Sequence, residues 1–315
     1  MNLLFLADPL DSFQTYKDST FAMMREAARR GHQIWSCEQP DVLWQHGARV
    51  QARAQKIELT GHEDAWLNIA DTSTVVLADM DAVLMRKDPP FDAEYLYTTH
   101  LLSQAEREGA TVFNRPLALR EHPEKLALLE CPQFTAPTLV TRSIEAVRAF
   151  HAAHRDIILN PLDGMGGAGI FRVRDDGLNL GSIAETLTRN EAQTIMVQGF
   201  LPAIALGDKR VLLIDGEPVP YALARIPQGG EVRGNLAAGG KGVAQPLSDN
   251  DWHIARTLGP ILAARGLLLV GLDIIGDKLT EINVTSPTCF QEITQQTGFD
   301  VAGRFLDALE AKLSA

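Results

Sequence analysis

Asp273, Glu281 and Asn283 are the residues whose types and spacing most clearly suit chemistry in this chain. They lie in GLDIIGDKLTEINVTSPT (271–288), which reads as two strands, GLDII and LTEIN, turned at Gly276-Asp277-Lys278. With those three residues as the loop, Ile275 faces Leu279, Asp273 faces Glu281 and Gly271 faces Asn283. Directly opposed residues share a face, so both carboxylates and the amide point one way while Leu272 and Ile282 take the other. A two-residue loop instead sets Glu281 against Leu272 and mixes polar with apolar on both faces. A one-residue slip reverses every side chain, so the clean sorting favours the three-residue loop. Three hard oxygen donors form a partial shell for Mg²⁺, which completes its coordination with waters and substrate phosphates. A wet acidic hairpin has the same pattern, so other stretches must supply the phosphate-binding half.

Two glycine-rich stretches are candidates. Asp163 to Gly169, DGMGGAG, places Gly164, Gly166, Gly167 and Gly169 between two apolar strands. Glycine there lets successive backbone N–H groups approach an anion. No Gly-Lys-Ser/Thr follows and the next element is a strand, which excludes a P-loop and a dinucleotide fingerprint and leaves a hairpin lid over nucleotide phosphates. Ile226 to Gly242, IPQGGEVRGNLAAGGKG, carries six glycines with Arg233 and Lys241. A segment of that length without structure of its own reads as a loop that closes over substrate and excludes water. Gln198-Gly199-Phe200-Leu201 follows an apolar strand, where a base could stack and bond to backbone. Asp208-Lys209-Arg210 reads as a polar turn before the next strand.

The elements that must position these groups form an α/β pattern. Residues 2–7 (NLLFLA) are a buried strand, a helix runs from about Thr20 to Arg30 with Asp18 or Ser19 as N-cap, and HQIWSC is the next strand. This strand–helix–strand order predicts a parallel sheet with helices packed on it. Residues 44–67 alternate weakly, as a hairpin would. The strand DAVLMR ends in Arg86, at the carboxyl edge where open α/β sheets bind ligands. A helix from His122 carries Lys125. Beyond it come the strands TLVT, DIILN, IFRVR and TIMVQGFL, with helices near 143–154 and 182–190. RVLLIDG and EPVPYALARI form a hairpin turned at Asp215-Gly216, and helices close the pattern at about 249–265 and 299–312.

At 315 residues the chain has room for two or three units with sizeable cores, and 45% hydrophobic with 22% charged content is that of a globular protein. A net charge of −11 argues against nucleic-acid and membrane partners, and requires local cations around any anionic substrate. Three scattered cysteines, Cys37, Cys131 and Cys289, form no disulfide framework and fit a reducing cytoplasm. The opening run LLFLA is too short for a signal sequence, and no apolar run approaches the ~20 residues of a spanning helix.

Taken together, MRKDPPFD, NRPLALREHPEKL, PLDGMGGAGIFRV, LPAIALGDKRVLLIDGEPVPYALARIPQGGEVRGNLAAGGKG and VGLDIIGDKLTEINVTSPT resemble the bacterial glutathione synthetases of the ATP-grasp superfamily. The resemblance spans essentially the whole chain. It implies a Rossmann-like parallel-sheet domain (1–122) followed by a two-lobed ATP-grasp domain, with the phosphate lid in 123–200 and the metal site and mobile 226–242 loop in 201–315. It implies ATP-dependent ligation of γ-glutamylcysteine and glycine through an acyl phosphate, in a cytoplasmic homotetramer. By the same likeness Asp273, Glu281 and Asn283 hold Mg²⁺, with Mn²⁺ as a substitute. Lys125, residue 160 and Gly164, Gly166 and Gly167 hold ATP phosphates, while Gln198, Gly199, Phe200, Leu201 and Asp208 hold adenine and ribose. Arg210, Arg225 and Arg233 serve catalysis, and Asp18, Ser19, Arg86 and Ser286 contact the peptide.

One departure is Asn160 in Asn-Pro-Leu-Asp-Gly, where the family usually has lysine. Hydrogen bonds to charged groups contribute ~1.5–3 kcal/mol, so the amide predicts roughly a 10- to 150-fold loss in ATP affinity or turnover relative to a lysine form. A protein that binds nucleotide or peptide with impaired catalysis is therefore the alternative, as is a sister ligase with another acceptor amine.

Overall fold

The structure is a computed structural model that describes the chain except residues 63–64, 164–165, 230–233, 235–238 and 315. Its first sheet is built on a buried parallel core. Strand β1 (Asn2–Leu6) pairs in parallel with β2 (Gln33–Cys37) on one side. The apolar run NLLFL suits such a strand, covered on both faces. Helix α1 (Ser19–Arg29) crosses between them, its N-terminus capped by Asp18, whose Oδ1 accepts from the Phe21 N–H at 2.7 Å. Beyond β3 (Val42–Leu43), the weakly alternating stretch forms a long antiparallel hairpin, β4 (Gln51–Leu59) and β5 (Leu67–Val76), further along the chain than expected. Strand β6 (Ala82–Met85) returns beside β1, and helix α2 (Ala93–Arg107) leads to β7 (Val112–Phe113). The order is β3-β4-β2-β1-β6-β7, with β5 on the far edge of β4.

The next stretch corrects one expectation. Helix α3 (Pro116–Glu121) starts with proline at its first turn and stops before His122, so no α-helix carries Lys125, which precedes a short 3₁₀ segment instead. A small antiparallel sheet follows, formed by β8 (Thr138–Thr141), β9 (Ile157–Pro161), β10 (Phe171–Val173) and β11 (Ile195–Gly199) in the order β10-β9-β11-β8. Helices α4 (Ile144–His154) and α5 (Leu180–Thr188) cover it, and Val147, Ile157, Leu159, Ala184 and Ile195 make its separate core.

The third sheet is antiparallel, in the order β14-β13-β12-β15-β16. Strands β12 (Asp208–Ile214) and β13 (Glu217–Ile226) turn at Asp215 and Gly216, with φ of 50° and 80° as a two-residue type I′ hairpin requires. Asp208-Lys209-Arg210 is no solvated turn: all three residues are buried and open β12. Nor is 226–242 wholly irregular, because β14 (Lys241–Pro246) begins inside it and pairs Ile226 with Lys241. Helix α6 (Asp249–Ala264) lies over the β12–β13 turn. A Cβ on its Gly259 would sit 2.0 Å from the Gly216 carbonyl oxygen, so only glycine permits this approach. Strands β15 (Leu269–Ile275) and β16 (Lys278–Asn283) complete the sheet.

Helices α7 (Phe290–Thr297) and α8 (Val301–Ser314) return to the start of the chain. Phe290, Phe305 and Leu309 share a core with Phe5, Phe21 and Met24. Arg30 binds Glu26 within α1 and Asp307 and Glu310 of α8, at 2.7–2.9 Å. Among the described residues no helix is long and apolar enough to cross a membrane.

Candidate active site

The second and third sheets and connecting segments of the first unit enclose a cavity of about 480 Å³. The third sheet supplies Asp208 and Arg210 from β12, Arg225 from β13, Asp273 from β15, and Glu281 and Asn283 from β16. Cross-strand register gathers them on one face, with Asp208 opposite Arg225, Arg210 opposite Asp273, Asp273 opposite Glu281, and Gly271 opposite Asn283. The hairpin reaches this sorting by another route than the three-residue loop expected. Its turn is only Gly276-Asp277, so Ile275 faces Lys278 and Ile274 faces Leu279. Thr280 is then an extra residue in β16, a bulge that restores the Asp273–Glu281 pairing, and its hydroxyl donates to the Asp273 carbonyl at 3.1 Å. The surplus residue lies in the strand rather than in the turn.

The charges are tightly interlocked. Arg210 donates from Nε to Asp273 Oδ1 at 2.5 Å and from Nη2 to Oδ2 at 3.1 Å, while Arg225 Nη2 lies 2.8 Å from the same Oδ2. Burial opposes ionisation of Asp273, but these two guanidinium groups outweigh it and hold the carboxyl at about 2. Arg225 also binds Asp208 Oδ2. Asp208 is the nearer partner of that arginine but lacks a second guanidinium in contact: burial, and after it the neighbouring Asp273 charge, push it to about 6 despite Arg225. Asp208 Oδ1 is buried with no hydrogen-bond partner.

Lys125 Nζ sits 2.9 Å from Glu281 Oε1 and donates to the Leu162 carbonyl at 3.5 Å. Its neighbour Glu124 fixes it there. The Glu124 carboxylate accepts from the N–H groups of Val284 and Thr285 and from the Thr285 hydroxyl, and its carbonyl accepts from Ile282 N–H. Burial and the nearby Glu281 charge raise the Glu124 carboxyl above its ordinary range. Glu124 had no signal in the sequence, because its role comes from contacts with residues about 160 positions away.

The small sheet contributes Asn160 from β9, Gly166 and Gly167 from the β9–β10 connection, and Gln198, Gly199, Phe200 and Leu201 at the end of β11. Gly166 and Gly167 have φ of 62° and 82°, a backbone that side chains rarely adopt. Gly164 and Arg233 lie outside the described residues. Gly234, within the long loop, is buried against the Arg225 carbonyl, where a Cβ would come within 2.2 Å.

Of the residues expected to touch peptide, Asp18 and Ser286 line the cavity, the latter bonded through its hydroxyl to Asp88. Burial raises the Asp18 carboxyl. Ser19 and Arg86 sit behind the wall. Ser19 Oγ accepts from Phe290 N–H at 3.2 Å, and Arg86 donates to the Thr20 hydroxyl at 3.1 Å and the Pro287 carbonyl at 3.0 Å. Lys17, Asp88, Cys289 and Glu292 also line the cavity without having been singled out from sequence.

The donor set fits a metal bound together with a substrate. Among the described residues no group of three or more His, Cys, Asp or Glu side chains could hold an ion alone. Two carboxylates and one amide oxygen on a single sheet face leave coordination positions for phosphate oxygens and water, as Mg²⁺ prefers. The cations Lys125, Arg210 and Arg225 beside them match the phosphates such an ion would bring.

Known proteins align with this arrangement over its whole length. Residues 1–120 match the family model of the prokaryotic glutathione synthetase N-terminal domain, and residues 124–298 match that of the prokaryotic glutathione synthetase ATP-grasp domain. A glutathione synthetase of Ralstonia nicotianae is 62% identical over 310 residues, covering 98% of this chain and 95% of that protein. Those of Nitrosomonas europaea and Shewanella oneidensis are 56% and 50% identical, the first covering 100% and 99% of the two chains and the second 99% of each. Among solved structures, the D-cycloserine synthetase DcsG superposes with a TM-score of 0.70 at 17% identity over 99% of both chains. The ATP-grasp ligase PsnB, complexed with a minimal precursor, Mg and ADP, gives 0.62 at 21% identity over 100% of this chain and 98% of its own. These two likenesses show a shared fold.

Proposed function

Because the chain belongs to the prokaryotic glutathione synthetase family, we infer that it joins γ-glutamylcysteine to glycine with ATP, releasing glutathione, ADP and phosphate. The cysteinyl carboxylate takes the γ-phosphoryl group as ADP leaves. The glycine amine then attacks the acyl carbon of this acyl phosphate, displacing phosphate and losing a proton.

In this reading Arg210 and Arg225 are fixed cations that face the charge gathering on the transferring phosphoryl group and the acyl phosphate. Lys125, Asn160 and Gly166 and Gly167 hold phosphates, with Gly164 in the same loop and Arg233 in the closing loop. Gln198 to Leu201 receive the base, and Asp208 receives the ribose. Mg²⁺ or Mn²⁺ held by Asp273, Glu281 and Asn283 would offset phosphate charge. Asp18 and Ser286 meet the peptide directly, and Ser19 and Arg86 act by bracing the segments that carry them. Residues 1–122 then form the peptide-side unit, 123–200 the phosphate lid and 201–315 the metal lobe, in a homotetramer working in the cytoplasm.

What supports the reading most is a single juxtaposition. Two buried arginines converge on the Asp273 carboxylate inside a cavity also lined by glycine backbone and an aromatic strand end. The test is phosphate release with ATP, Mg²⁺, γ-glutamylcysteine and glycine, omitting each in turn. Release should require all four. Bound nucleotide without release when all four are present would favour the impaired form that Asn160 brings to mind, and release with another amine but not glycine would favour a sister ligase.

A further inference from the structure

Phe200 meets the cavity with a cation already stacked on it. The Arg172 guanidinium carbon lies 3.4 Å from the Phe200 ring centroid. That guanidinium is gripped by both carboxylate oxygens of Asp156, from Nε at 2.9 Å and from Nη2 at 2.6 Å. The Asp156 carbonyl accepts from the Phe200 N–H at 2.9 Å. One aspartate therefore holds the ring's backbone with its main chain and the cation over the ring with its side chain. Phe200 lines the cavity and Arg172 does not, so the guanidinium stacks on the ring from outside the lining.

Stability alone gives little reason for this tower. The ion pair is partly wet, with side chains 23% and 34% exposed, and such pairs add little to folding. Strand pairing already fixes the local backbone, with Arg172 opposite Ile158 on β9. A cation on one face of a ring draws electron density away from the other and holds the ring still, both of which favour stacking against a broad, electron-rich heterocycle.

We propose that Arg172 is a positioning residue for the nucleotide base, acting through Phe200 and favouring a purine over a pyrimidine. The proposal rests on the reading of this cavity as the ATP site. Replacing Arg172→Met should raise the KM for ATP about fivefold, the equivalent of ~1 kcal/mol of lost stacking, while kcat and the KM values for γ-glutamylcysteine and glycine stay put. The preference for ATP over CTP should narrow in parallel. Asp156→Asn, which loosens the fork, should do the same more weakly, and Arg172→Lys should fall between wild type and Arg172→Met. In a Phe200→Leu background, Arg172→Met should add no further change. A full fivefold effect persisting in that background, or kcat falling as far as KM rises, would overturn the proposal. Wild-type protein that binds no adenine nucleotide would instead remove the reading beneath it.

Discussion

Asn160 lines the cavity from β9, opposite Met196, with a short amide that carries no charge. The three buried cations nearby are each engaged by carboxylates, Lys125 by Glu281 and the two arginines by Asp273. A longer, charged side chain at 160 would therefore face incoming phosphate with no carboxylate already holding it. Asn160→Lys should lower the KM for ATP about tenfold, the scale of one hydrogen bond gained by a charged group. Unchanged ATP kinetics would show that the position does not touch phosphate. The neighbouring aspartates show what a second guanidinium in contact adds. Asp273, with two guanidinium groups, stays ionised down to about 2, whereas Asp208 retains a proton up to about 6.

Between elements, Arg30 ties the end of α1 to α8 through Asp307 and Glu310 and shares Glu26 with Arg29. Hydrogen bonding from Arg29, then from Arg30, against the opposing effect of burial, holds Glu26 at about 2 instead of 4.5. A carboxyl depressed by folding stabilises the protein above its unfolded value, and that contribution disappears as pH falls through the folded one. Glu26→Gln should therefore cost about 1 kcal/mol at pH 7, less than the full shift would give because solvent screens the exposed Arg29. In denaturant melts the deficit should shrink between pH 4.5 and 2; a deficit constant with pH would mean lost packing instead. Much of this scaffold was legible in sequence. Period-two sorting identified the polar face of β15–β16 and an Asp-Gly pair marked the β12–β13 turn. The Thr280 bulge was not, since one surplus residue in turn or strand gives the same downstream register. Strand β14 escaped because KGVAQP is a half-exposed edge in a glycine-rich context, and α7 because its N-cap position, Cys289, has φ of 86° and no capping side chain. Lys125 was recognised, yet its setting was missed, because the 3₁₀ segment after it is fixed by distant contacts of Glu124.

Over the whole molecule the site is a set of charges waiting for exchange. Binding the metal alone would turn Arg210 away from Asp273 with no anion to meet it and leave Arg225 with Asp208 alone. Nucleotide alone would bring phosphates against the carboxylates of Asp273 and Glu281. Bound together, the two ligands give every group a partner, so their stabilisation should exceed the sum of their separate effects. At concentrations near one hundred times Kd, the pair should add about 2.7 kcal/mol, read as a rise of a few degrees in Tm. Mg²⁺ or ATP alone should move Tm far less, and EDTA should abolish the joint rise; additive shifts would contradict the exchange. The return of α8 to α1 bears on how the polypeptide is made. Phe21 and Met24 lack the cover of Phe305 and Leu309 until the ribosome has translated the intervening 280-odd codons, roughly 15 s to a minute at bacterial speeds. During that interval the nascent amino-terminal half should remain a substrate for holdase chaperones, which pulse-labelled capture would reveal, and emergence of residues 301–314 should end it.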